Sequence, residues 1–325
     1  MKALRSAVQI CLLLLLFSAD SASAATVILS GNIQFSSLDG SAQDDDGVVD
    51  GVFTVNDDLV LDGTINCNDD PPLSGNASAC PIRLSVSGDL SLTPGSGIFA
   101  ENRSGGGNGG NIVLAAGGDI ILHGPSGLLG GAVVSSGRTT GTSDRAGDIT
   151  LEAGGGVEVA AGSAVSAEAF GGRAGDIGIT AGDQVTVAGL IASGPSRMVL
   201  PSALTGKVLG GGNSKQEGGS IFIRAQTSSE PGVRVEAGGI VVSQGEKGGA
   251  QVVRLEGCGI EVSGLVAAAA RKDGAGRVVL RSGTTLLIDG RDLGTAGPRQ
   301  GRVRADSTEG GAAGLLVDLF ASGNI

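Results

Sequence analysis

The chain has 325 residues, 60 of them Gly, with 2% aromatic residues, no Trp, no Tyr and a formal net charge of −11. An acidic chain without a dominant basic face is a poor fit to nucleic acid, so no nucleic-acid partner is expected. Gly at this level can accompany disorder, but Val, Ile and Leu recur here in alternation, and the glycines punctuate strands.

Residues 1–24 carry the three parts of a secretory signal. Lys2 and Arg5 supply positive charge, Ala7–Phe17 an apolar run, and Ala22-Ser23-Ala24 a small-residue cleavage site. That run is shorter than the roughly 20 residues a spanning helix needs. The expectation is an exported chain, periplasmic, secreted or at the cell surface, beginning near Ala25 with no transmembrane segment. Residues 25–52 read as a lead-in or cap. Acid is concentrated near this end: eleven acidic residues against one base between Asp39 and Asp89.

The repeating unit is clearest at Gly147–Val159. Ile149-Thr150-Leu151 and Val157-Glu158-Val159 are two short alternating strands joined by a Gly-rich corner, followed by a smaller third piece, Val165-Ser166-Ala167. First strands open at Phe53, Leu84, Ile112, Ile149, Ile177, Ile221, Val253, Val278 and Val317. Second strands open at Leu59, Leu90, Ile120, Val157, Val185, Val233, Ile260 and Leu286, and third pieces at Ile98, Val133, Val165, Leu190, Val241, Leu265 and Val303. A near-constant unit with variable turns is the signature of stacked coils.

Each strand offers only two or three inward apolar residues, too few for an independent sheet. The fold expected is therefore all-β, a single-stranded parallel β-helix (a β-solenoid) of eight to nine coils of three short strands over 53–325. Right-handed winding follows from the preference of parallel crossovers. At one strand spacing per coil the rod would be about 40 Å long. Val317–Ile325 repeats the unit and stops in mid-rung, so the chain reads as truncated at its C-terminus, either a monomeric rod or part of a longer chain.

Gly109-Gly110-Asn111-Ile112-Val113-Leu114, Ala146-Gly147-Asp148-Ile149-Thr150-Leu151 and Ala174-Gly175-Asp176-Ile177-Gly178-Ile179 resemble the Gly-Asp/Asn-Ile-x-Leu/Ile rungs of filamentous-haemagglutinin-like proteins. The resemblance covers about Val52 to Ile325. It implies a right-handed parallel β-helix of a bacterial surface or secreted adhesin. The Asn-Pro-Asn-type secretion motif of partner-exported members does not occur between Ala25 and Phe53.

Cys67 and Cys80 bracket a Pro- and Asn-rich loop and are expected to pair in an oxidising compartment, closing the 67–80 loop. Cys258, in a Gly-Cys-Gly corner, is expected to remain free. No residue presents itself as catalytic, cofactor-binding or metal-ligating. His123, following a second strand, reads as a turn residue. Outward Glu158 and Glu261 lie several coils apart, too far for a glycosidase pair. Asp44-Asp45-Asp46 and Gly106–Asn111 offer oxygen ligands but lack the spacing of established calcium loops. The inserted loop 193–219 carries apolar Met198-Val199-Leu200-Pro201 and reads as a flap on one sheet face. Two functions remain: a non-catalytic structural or adhesive surface solenoid with surface glycans as partners, or a carbohydrate-active β-helix of the polysaccharide lyase or glycoside hydrolase kind.

Overall fold

The computed structural model describes residues 26–41, 43–48, 50–67, 79–101, 108–126, 130–137, 145–169, 172–195, 217–245, 252–270, 276–289, 302–307 and 316–322. Residues 1–25, which include the expected signal, most of the 67–80 loop, most of the 193–219 insertion and the final residues lie outside them. The described chain is a parallel β-solenoid. Its strands form two long parallel sheets, and no α-helix occurs among the described residues.

Alternation generates the strands. In Ile149–Ala153 the side chains of Ile149, Leu151 and Ala153 point inward and are buried, while Thr150 and Glu152 face out. A strand this short buries too little to stand alone, but the same strand of the next coil lies against it in register. Ile149 pairs with Ile112 on one side and Ile177 on the other. Repeated along the rod, this gives a first stack of nine parallel strands, from Phe53–Val55 to Leu316–Ala321. Second and third stacks share one starting strand, Asp58–Asn66, which runs nine residues without a corner. Its Leu59–Leu61 part pairs with Leu90–Leu92 and its Thr64–Asn66 part with Gly97–Phe99. Within the lead-in, Thr26–Gln34 forms a further strand parallel to Asp58–Asn66 along its whole length.

The interior is one continuous core of aliphatic ladders, with Leu59, Leu90, Ile120, Val159 and Val187 among its fully buried members. Where the third strand turns toward the next coil the ladder narrows to Ala100, Ser136, Ala167, Ser193, Ser243 and Ala268, all 0% exposed. The buried hydroxyls are satisfied locally. Ser136, Ser193 and Ser243 donate to the carbonyl oxygens of Gly147, Gly175 and Gly219 at 2.5, 2.7 and 2.7 Å. Each backbone carbonyl so engaged avoids the cost of a buried unpaired acceptor.

Two registers differ from the reading by pattern. In the first stack Leu84 pairs with Leu114 rather than Ile112, a slip of two residues that leaves the same face inward. In the third stack the inward residues are Val134, Ile191 and Val266, one position beyond Val133, Leu190 and Leu265. All three sites place two large apolar residues in succession, so alternation does not say which points in. The outward set is itself apolar. Ala192, Ile240, Val242, Leu265 and Ala267 form a second, smaller buried cluster, with Leu190 packed against it.

The two ends differ. At Phe53–Val55, Thr54 N–H donates to Asp44 Oδ1 at 2.9 Å and Thr54 C=O accepts from Asp45 N–H at 2.9 Å. Asn56 N–H reaches Asp45 Oδ2 at 2.5 Å and Thr54 Oγ1 donates to Asp46 Oδ2 at 2.9 Å. The aspartate run thus satisfies the free edge of the first strand. At the opposite end of the described rod, inward Leu319 is 38% exposed and Ile288 36%.

Candidate functional site

Five outward aspartates, Asp58, Asp89, Asp119, Asp148 and Asp176, are committed to the rungs themselves. At the corner before the first stack, each acid or amide accepts the N–H of its counterpart one coil on. Asn111 Oδ1 takes Asp148 N–H at 2.9 Å, Asp148 Oδ1 takes Asp176 N–H at 2.8 Å, and Asp176 Oδ1 takes Ser220 N–H at 2.7 Å. A second ladder runs through the next corner, from Asp58 to Asp89 N–H, Asp89 to Asp119 N–H, and Asp119 to Gly156 N–H at 2.9, 2.7 and 2.6 Å. This is the structural role of the Gly-Asp/Asn-Ile rung motif. Arg145 and Arg173 lie beside the first ladder, with Arg145 2.9 Å from Asp148 and 3.6 Å from Asp176. Half-exposed pairs of this kind contribute little to stability.

The outward residues weighed for chemistry are dispersed. Glu158, Thr186, Arg234 and Glu261 occupy one outward ladder of the second stack. Three strand spacings, about 14 Å, separate the two glutamates. Glu261 is held instead by Arg234 Nε at 3.1 Å. His123 has a partner that sequence proximity hides: its Nε2 lies 2.8 Å from Ser91 Oγ, one coil earlier and 32 residues away. Both groups are exposed, and no carboxylate is hydrogen-bonded to the imidazole among the described residues. Cys67 and Cys80 are joined by a disulfide with Cα atoms 5.4 Å apart, and Cys258 is free. No group of metal-ligating side chains occurs among the described residues.

One face brings an aromatic ring, two guanidinium groups and a carboxylate together. On the outer side of the first stack, the strands Ile177–Ala181, Ile221–Ala225 and Val252–Gly257 are consecutive. Their registers align Gly178, Phe222 and Arg254 in one outward row and Thr180, Arg224 and Glu256 in the next. These residues line an open cavity of about 260 Å³. Its floor is Gly178, where an added Cβ would meet no atom within 4 Å. Phe222 stands beside it, 44% exposed. Arg254 donates through Nε to Glu256 Oε1 at 2.7 Å, and Arg281 approaches the same oxygen at 3.8 Å. Arg224 has no ion pair among the described residues. Alternation in Ile221-Phe222-Ile223 already places Phe222 outward. Its neighbours Gly178 and Arg254 lie 44 and 32 residues away, and the alignment of first strands at Ile177, Ile221 and Val253 already sets them in its row.

The class defined by these features is a parallel β-solenoid with a small open notch on one outer sheet. No protein-family model, curated protein or solved structure matches the chain. No helix among the described residues is long and apolar enough to cross a membrane, which leaves strand-built spans unaddressed.

Proposed function

We propose that this chain is an exported, non-catalytic adhesive solenoid of the filamentous-haemagglutinin-like kind, right-handed, working at or beyond the bacterial surface. The observation that carries this reading is the chemistry of the notch. It offers an aromatic ring and two guanidinium groups but a single carboxylate, Glu256, and that one is engaged by Arg254 and Arg281. Acid–base cleavage of a glycosidic bond uses two carboxyl groups about 5–10 Å apart. The ladder aspartates are occupied as acceptors for backbone N–H groups. What remains suits binding, and a rigid rod is an efficient way to hold a binding face away from a membrane.

The experiment is a glycan array and a polysaccharide panel probed with the mature chain. Binding is expected without release of reducing or unsaturated sugar ends. Turnover of any polysaccharide that disappears in Glu256→Gln would overturn the reading. Export is tested separately by sequencing the amino terminus of the secreted protein, which is expected to begin at Ala25.

A further inference from the structure

We infer that the notch formed by Gly178, Thr180, Phe222, Arg224, Arg254 and Glu256 binds one carboxylate-bearing sugar residue, a uronate, within an acidic polysaccharide. The inference rests on the adhesive reading above and names its ligand.

Three observations converge on the same 2 × 3 grid of outward positions. The first is the exposed ring. A lone exposed apolar residue needs no explanation, but Phe222 differs from the other strongly exposed aromatic among the described residues. Phe320, 51% exposed, is covered by the Arg281 guanidinium 5.3 Å from its centroid. Phe222 has no such cation among the described residues, so its face is free to receive a ring. The apolar face of a pyranose is the matching surface, and aromatic stacking is directional enough to orient it.

The second observation is Gly178. At Gly147 the fold demands glycine, because a Cβ there would overlap the carbonyl oxygen of Gly110 in the neighbouring coil. At Gly178 it demands nothing of the kind: its backbone is ordinary extended strand and the space above it is empty. Glycine inside a strand costs stability and often marks a place where something approaches the backbone closely. Here it leaves open backbone in the row beside Phe222.

The third observation is charge. Arg224 and Arg254 contribute two positive charges and Glu256 one negative, leaving a net charge of +1 on the grid. Arg254 is already committed to Glu256, whereas Arg224 has no ion pair among the described residues. One free guanidinium answers one carboxylate, the pairing for which its planar fork is suited. A neutral glucan would leave Arg224 unused. A densely sulfated chain would bring several negative charges per sugar toward Glu256. The grid spans two strand spacings by two residues, about 10 by 7 Å, which accommodates a single sugar with its substituents.

The test measures binding of the mature chain to polygalacturonate, neutral dextran and dextran sulfate, while the polymers are assayed for released ends. Wild-type protein is expected to bind polygalacturonate in preference to both dextrans. Phe222→Ala and Arg224→Gln should each weaken this roughly tenfold or more, equal to about 1.4 kcal/mol. Gly178→Val is the decisive variant. Its Cβ would meet no atom within 4 Å and a β-branched side chain raises strand propensity, so its thermal midpoint should not fall while binding does. Unchanged affinity in Gly178→Val and Arg224→Gln would overturn the inference. So would equal binding to neutral dextran, binding to dextran sulfate alone, or no binding to any of the three. None of those outcomes touches the adhesive reading, which fails instead if polygalacturonate is cleaved.

Discussion

A methyl group added at Gly147 would overlap the Gly110 carbonyl oxygen, and Gly147 in turn lies under Gly175, whose own Cβ would overlap the Gly147 carbonyl. The glycine ladder therefore sets how closely coils approach at this corner. Gly147→Ala is expected to destabilise the protein by about 1–3 kcal/mol through overpacking against backbone that cannot yield. Gly178→Ala, with open space above it, should be neutral or stabilising by up to about 1 kcal/mol, since it restricts the unfolded chain. Urea midpoints of the two variants, compared side by side, check the contrast. The neighbouring acid ladder admits a sharper comparison. Asp148→Ala removes the acceptor for Asp176 N–H and should cost about 1 kcal/mol. Asp148→Asn keeps an oxygen in the same place and should recover most of that loss. If both variants fall equally, charge rather than backbone capping is what the residue supplies.

Strands of the first and second stacks were legible because each has one buried face, so period-2 alternation fixes inside and outside. Val157, Val185, Val233 and Ile260 could be aligned from the sequence and pair accordingly. The third stack defeats that logic where both faces are buried. At Leu190-Ile191 and Leu265-Val266 either residue could face the core, and the outward one joins a separate apolar cluster. The candidate site was legible only in part. The outward direction of Phe222 follows from Ile221 and Ile223, and the shared register of first strands at Ile177, Ile221 and Val253 sets it beside Gly178 and Arg254. The pairing of Arg254 with Glu256 depends instead on side-chain reach that alternation does not carry. Ser91 beside His123 was hidden for the same reason. The 67–80 disulfide belongs at this scale too, because it bridges the end of a strand to the approach to the next coil. Cys67 is buried in the core, and the bond closes a sequence separation of 13. Reduction should lower stability by roughly 3 kcal/mol in the chain-entropy account while leaving far-ultraviolet circular dichroism unchanged below the transition. Loss of the β signal on adding reductant at room temperature would contradict it.

Along the whole rod, backbone hydrogen bonds run from coil to coil, and a strand at either end exposes a row of donors and acceptors unless something meets them. The aspartate run meets them at Thr54 and Asn56. A chain carrying Asp44→Ala with Asp45→Ala should therefore present an open edge, and light scattering should show association that grows with concentration. A double variant that stays at wild-type mass across that range would mean the edge is protected by other groups. The coil-to-coil bonding also determines how the rod answers tension. Force applied across its ends meets the rungs in succession, because each coil is held chiefly by its two neighbours. The chain freed at each event is one coil, 28 residues from Ile149 to Ile177 and 44 from Ile177 to Ile221. At about 3.4 Å per extended residue these correspond to roughly 95 and 150 Å. A tether made of this protein would lengthen in unequal increments, shedding load one turn at a time, with the order of increments spelling out the turn lengths written in its sequence.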